Sequence, residues 1–253
     1  MIELINLQKE FKVDNGVNKV LKGIDLKIND GDFITIIGSN GSGKSTLLNV
    51  LAGTHKVDGG KIIFDGKDVT NLKEHKRASF IGRVFQDPLQ GTIGDISIEE
   101  NFALAFKRGQ RRSLKWALKK EYLDTYKKTL EPLNLNLENR LHEQIKTLSG
   151  GQRQACTLLM ATLVKPKLLL LDEHTAALDP KTSKTIMNLT DDIIRNNNLT
   201  ALMITHNMKD AIKYGNRIIA ISSGRIIFDA SGEEKQKLTV DDLYKKFEEA
   251  ERN

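Results

Sequence analysis

The chain has 253 residues, 39% hydrophobic and 28% charged, with 39 basic against 33 acidic side chains and a net charge of +6. Such proportions are ordinary for a globular protein with a sizeable core, and the charge excess is too mild to name a partner. A single cysteine, Cys156, excludes an internal disulfide, and no run of 18 apolar residues exists to span a membrane.

The N-terminal stretch MIELINLQKEF lacks the basic and long apolar segments of a signal peptide, so no leader is expected. It reads instead as a first strand, followed by VLKGIDLKI, FITIIG and KIIFDG, with Gly/Asp turn signals between them. From Ile98 to about Leu163 the pattern becomes helical, with an interruption near Asn134 to Gln144, and Cys156 falls in an apolar run suited to a core. LLLLD is then followed by a helix from about Pro180, TALMITH by another, and RIIAISSGRIIFD reads as a hairpin. A charged amphipathic helix opening at Thr239 completes the chain. Alternating strands and helices predict a parallel sheet covered by helices. The basic segment 107–128 reads as a solvated helix face, with Leu114, Leu118, Tyr122 and Tyr126 turned inward. A nucleic-acid patch or a surface near lipid head groups is the alternative.

IIGSNGSGKST follows the third strand with the pattern G-x-x-x-x-G-K-[ST]. Glycines at 38, 41 and 43 let successive N–H groups point into one concavity, and the following helix adds its positive end. The expected phosphate-binding set is Gly38, Ser39, Asn40, Gly41, Ser42, Gly43, Lys44, Ser45 and Thr46. Lys44 suits the β- and γ-phosphates of ATP, and the Ser45 hydroxyl suits Mg²⁺.

LLLLDE poses a second problem. Four leucines fit a strand buried on both faces, yet they run into Asp172 and Glu173. In P-loop nucleotidases a carboxylate at the end of a second buried strand holds the metal, and Asp172 fits that role. Glu173, one residue further, is placed to orient or deprotonate the attacking water. TLSGGQRQ, residues 147–154, forms another anion-binding helix start. With only one P-loop in the chain, this second cradle is expected to close on the nucleotide of a partner molecule.

These motifs, in this order and spacing, resemble the ATP-binding cassette family over essentially the whole chain. The resemblance implies an ATPase with an α/β fold: a P-loop (RecA-like) nucleotide-binding core, a small antiparallel β lobe and an inserted helical lobe. The core with its β lobe is expected over 1–87 and 165–253, and the helical lobe over 88–164. The family signature matches Leu148, Ser149, Gly150, Gly151 and Gln152. Gln86 matches a glutamine that binds metal and water, and Asp179 ends a loop lying along the dimer seam. His206 matches a histidine contacting the γ-phosphate. Phe11 falls where an aromatic side chain stacks on adenine, or it belongs to the core of the first strand. Glu173, His206 and Gln86 are thus the expected catalytic set, and Ser45, Gln86 and Asp172 the expected Mg²⁺ ligands. Where the family has proline and Thr-Ser after the glutamate, this chain has His174, Thr175 and Ala176. We read His174 as structural.

Fused membrane helices, a C-terminal regulatory domain, a second cassette and long coiled coils are all missing from the sequence. The resemblance therefore implies a stand-alone importer subunit on the cytoplasmic face of the membrane. Its expected partners are a second copy of itself, an integral permease and an extracellular substrate-binding protein, with no nucleic acid. GRVFQDPLQGT and DEHTAALDP further resemble cassettes of Gram-positive uptake systems for amino acids such as tryptophan and tyrosine. The alternatives are a soluble iron–sulfur assembly ATPase and a nucleic-acid-dependent ATPase.

Overall fold

Strands begin almost at the first residue of the computed structural model, which describes residues 1–14, 16–110 and 120–252. In chain order come β1 (Ile2–Val13), β2 (Gly16–Ile28), β3 (Phe33–Ile37), α1 (Lys44–Ala52), β4 (Gly59–Phe64), β5 (Lys67–Asp68) and α2 (Glu74–Arg77). Then follow β6 (Ile81–Val84), α3 (Ile98–Phe106), α4 (Lys120–Leu130), α5 (Gly150–Leu163), β7 (Leu168–Asp172) and α6 (Pro180–Asn196). The remainder is β8 (Ala201–Ile204), α7 (Met208–Lys213), β9 (Arg217–Ser222), β10 (Arg225–Ser231), α8 (Gly232–Lys237) and α9 (Val240–Arg252). Backbone contacts divide the chain into two units, Met1–Arg77 with Asn197–Asn253, and Ala78–Asn196.

The first unit contains an antiparallel sheet in the order β2-β1-β4-β5. A second set of strands places β3 between β8 and β9, parallel to both, and β9 turns back into β10. Every residue of β3 and β8 is buried, as a strand covered on both faces requires. Behind it, Leu243 of α9 packs with Ile37, Ala211, Ile218, Ala220 and Phe228. α9 begins at the expected threonine: Thr239 Oγ1 accepts the Asp242 N–H at 3.2 Å, and the Asp242 carboxylate accepts the Thr239 N–H at 2.9 Å. This reciprocal cap satisfies donors that a helix start leaves without intrahelical partners.

The second unit pairs β6 with β7 in parallel, and α5 packs against β6. Residues 131–147 make short 3₁₀ turns at 131–133, 137–139 and 145–147 rather than continuing the helix. Asn134 and Asn136 there have φ of 53° and 58°, a left-handed backbone that ends helices. Phe102, Tyr126, Leu137, Ile145 and Cys156 form one core. Burial pushes the Cys156 thiol up to about 12, which makes it an unreactive core residue. Leu114 and Leu118 lie outside the described residues; Tyr126 is fully buried and Tyr122 packs on Phe106, with ring centres 5.0 Å apart.

Candidate nucleotide site

In the first unit the phosphate loop leaves the carboxyl end of β3. Gly41 and Gly43 have φ of 78° and 106°, a region that side chains strongly disfavour. Gly43 directly precedes α1, and no side chain caps that helix. Its first N–H groups and positive dipole end are therefore offered to an anion. The loop is gripped from both sides: a Cβ on Gly38 would lie 2.3 Å from the Ile221 carbonyl oxygen, and one on Gly43 would lie 3.0 Å from that of Val20. The Gly224 N–H donates to the Ser42 carbonyl at 3.0 Å, tying the loop to the β9–β10 turn. Lys44 is only 5% exposed, and its Nζ donates to the carbonyls of Gly38 and Ser39 at 2.8 and 2.9 Å. Ser42 Oγ is buried without a hydrogen-bond partner among the described residues. A glycine-lined curl, an uncapped helix start, an ammonium and an orphan hydroxyl form a set that fits phosphate oxygens.

This grip yields a test. Gly38→Ala should displace the loop at a cost of about 1–3 kcal/mol, weakening ATP binding roughly 10- to 100-fold while the protein stays folded. Titration with a fluorescent ATP analogue measures it, and wild-type affinity would contradict a tightly framed loop.

His206 lies in the same unit, two residues beyond Ile204 of β8. Ile204 is in register with Ile36 of β3, and Gly38 is two residues beyond Ile36. The parallel register thus brings His206 and the phosphate loop to one edge, on neighbouring strands. His206 is exposed, and Asn207 behind it caps α7 by accepting the N–H groups of Lys209 and Asp210. Phe11 is half-exposed on β1, edge-on to His55 with ring centres 5.3 Å apart. Its ring is not a core element of the first strand.

The second unit repeats the device. Val84 of β6 pairs with Leu171 of β7, so Gln86 and Glu173 each emerge two residues beyond a matched pair. Gln86 is exposed. Asp172 ends β7 with the Arg83 guanidinium 3.8 Å away, and Arg83 also lies over the Phe85 ring at 4.4 Å. Glu173 has φ of 46°, costly for a residue with a side chain and characteristic of functional turns. His174, next in sequence, is fully enclosed. Its Nε2 lies 2.9 Å from Thr190 Oγ1, whose own proton goes to the Ile186 carbonyl at 2.8 Å. The histidine is therefore the donor of that pair. Burial pushes its pKa down to about 4, so it is neutral at physiological pH and its role is structural.

The signature residues open α5. Ser149 Oγ accepts the Gln152 N–H at 3.3 Å and the Gln152 side chain accepts the Ser149 N–H at 3.1 Å, a reciprocal cap on an exposed turn. Asp179 is exposed and accepts the N–H groups of Lys181 and Thr182, both at 3.1 Å, at the start of α6. The Thr182 hydroxyl and these amides hold its carboxyl below the usual range. Sequence reasoning missed β6, whose signal is the short apolar run SFIGRVF, and it missed Arg83 beside Asp172.

A phosphate loop at the end of one buried parallel strand and paired acids at the end of another define a P-loop nucleotide hydrolase. The ABC transporter family profile matches residues 21–176. The chain belongs to the ABC transporter family, and it is an ATPase. It is 45% identical to a tyrosine transport ATP-binding protein of Clostridioides difficile (strain R20291), over 99% of this chain and 100% of that one. A methionine import ATP-binding protein of Rhizobium etli is 35% identical over 90% of this chain, which spans 60% of that longer protein. Among solved structures, an ATP-binding cassette in a dimeric post-hydrolysis state with ADP and Pi superposes with a TM-score of 0.79. It is 29% identical and covers 91% of this chain and 98% of its own. No helix among the described residues is long and apolar enough to cross a membrane.

Proposed function

We propose that this chain is the ATP-hydrolysing subunit of an amino-acid importer, with tyrosine and related aromatic amino acids as the substrate class. Near-full-length identity to a tyrosine transport cassette supports that choice. In this reading two copies associate head to tail on ATP, each lending its signature turn to the phosphate loop of the other. The pair attaches to the cytoplasmic face of the membrane through a separate permease, which an extracellular binding protein supplies. The observation that carries the dimer is the exposed Ser149–Gln152 turn, an anion-suited helix start in a chain that has one phosphate loop.

Lys44 and the loop amides hold the β- and γ-phosphates, and Phe11 stacks on adenine. Ser45, Gln86 and Asp172 would hold Mg²⁺; a hydroxyl, an amide oxygen and a carboxylate are the hard oxygen donors this ion prefers. When bound, the metal neutralises charge on the phosphates. Glu173 orients the attacking water and takes its proton, His206 contacts the γ-phosphate, and Asp179 lies along the seam between copies.

Two inactive variants test the shared site. Lys44→Ala removes the charge facing the phosphates, and Ser149→Arg blocks the signature turn, so each homodimer should be inactive. In a mixed dimer one site carries both defects and the other carries neither. Mixing should therefore restore part of the ATPase activity. No recovery despite demonstrated mixed dimers would mean either that both sites must fire together or that the turn serves its own chain. A cysteine at Ser149 that crosslinks to one near Ser39 between chains supports the shared site, and its failure to do so defeats it.

A further inference from the structure

A polar contact ties the last residue of TLSGGQRQ to the residue before Gln86. Gln154 stands on α5, five residues past Ser149, which is about 7.5 Å along the helix. The residue is fully buried, and its Nε2 donates to the Phe85 carbonyl at 3.1 Å, immediately before Gln86. Only the amide nitrogen can face a carbonyl oxygen, so Gln154 Oε1 is left buried without a partner among the described residues. An apolar side chain of the same size would avoid that orphan acceptor. It would also take away the donor that the Phe85 carbonyl has, so what the amide does here is hold that carbonyl.

The chain beyond Gln86 returns to the same helix. Asp87 caps the 3₁₀ turn Pro88–Gly91 by accepting the Leu89 N–H. Gly91 then lies so close to α5 that a Cβ there would be 2.9 Å from Thr157 Cγ2. The Thr157 hydroxyl donates back to the Gln154 carbonyl at 2.7 Å. Exposed Gln86 is thus held before and after by the helix that begins at the signature serine.

We infer that Gln154 is a positioning residue that makes the Gln86 segment and the signature helix move as one body. The inference rests on the roles proposed above for Gln86 and Ser149. Under it, any displacement of the signature turn carries Gln86 along, so the bend between moving parts falls outside residues 85–91.

Gln154→Met removes the donor and the orphan acceptor together at nearly constant volume. The folded protein should keep its KM for ATP within about twofold while kcat falls about tenfold, the worth of one aligning hydrogen bond. Amide exchange over residues 86–91 should quicken, with α3 unchanged. The double variant Gln86→Ala/Gln154→Met should be no slower than Gln86→Ala alone, because the second change then has nothing left to position. Wild-type kcat and exchange in Gln154→Met, or independent multiplication of the two losses, would overturn the inference while leaving the role of Gln86 intact. Full activity of Gln86→Ala would instead remove the underlying reading, and the inference with it. If methionine prevents folding, Gln154→Asn keeps an amide one methylene short of the Phe85 carbonyl and should give the same pattern; wild-type kcat and exchange there would equally overturn it.

Discussion

Glu173→Gln should bind ATP with Mg²⁺ at near wild-type affinity and hydrolyse it on the order of 10²- to 10⁴-fold more slowly, the range for loss of a general base. The amide keeps the size and polarity of the carboxylate but cannot take a proton. The backbone at this position already adopts φ of 46°, which glutamine bears no worse than glutamate. His174 beside it is locked to Thr190, and Asp172 before it ends a buried strand, so the turn should survive intact. Single-turnover phosphate release with a parallel binding titration separates the two effects. With hydrolysis blocked, ATP should hold two copies together, so light scattering should report a dimer in ATP and a monomer in ADP. Turnover within a few-fold of wild type would assign the base elsewhere.

Arg77→Met should be the most destabilising single change outside the site. Arg77 is 2% exposed and its guanidinium pairs with no carboxylate among the described residues; it donates instead to the carbonyls of Val50, Leu51, Val69, Thr70 and Leu72, at 2.8 to 2.9 Å. Val50 and Leu51 belong to the last turn of α1, where the helix dipole is negative and a cation is favoured. Methionine fills much of the volume but leaves five carbonyls without that donor. At a cost of about 1–3 kcal/mol for a buried acceptor left unmatched, the loss should be at least about 3 kcal/mol. For a chain of this size that lowers the thermal midpoint by about 10 °C. Because α1 carries Lys44 at its other end, ATP affinity should fall as well. A midpoint within about 2 °C of wild type would mean that water replaces the guanidinium at little cost.

The Gln154 contact alters how the motifs work together. In the sequence, Gln86 and Ser149 are separate features some sixty positions apart. In the second unit one helix holds both, through the side chain of Gln154. A cassette that must couple ATP to a permease benefits from such a link, since a load applied at one element reaches the other without an intervening flexible segment.

The sequence by itself determined whatever depends on neighbouring residues. The glycines of the phosphate loop encode their own turn, and LLLLD encodes a strand that must be covered on both faces. Ser149 with Gln152, and Thr239 with Asp242, cap their helices over a spacing of three. The candidate site residues could be named for the same reason, because each stands in a short motif at a strand or helix end. The tertiary structure alone decided what depends on partners far along the chain. IGRV is too short to declare itself a strand until it pairs with LLLL across more than eighty residues. Arg77 reads as one more surface charge in EHKR until the end of α1 encloses it. Lys235 reads the same way in GEEKQK, yet it is 3% exposed with its Nζ on the Tyr214 and Gly215 carbonyls. Gln154 looks like a polar residue on a helix until α5 turns it onto the Phe85 carbonyl. A buried polar side chain is identified by its partners, and those partners are assembled only when the chain folds.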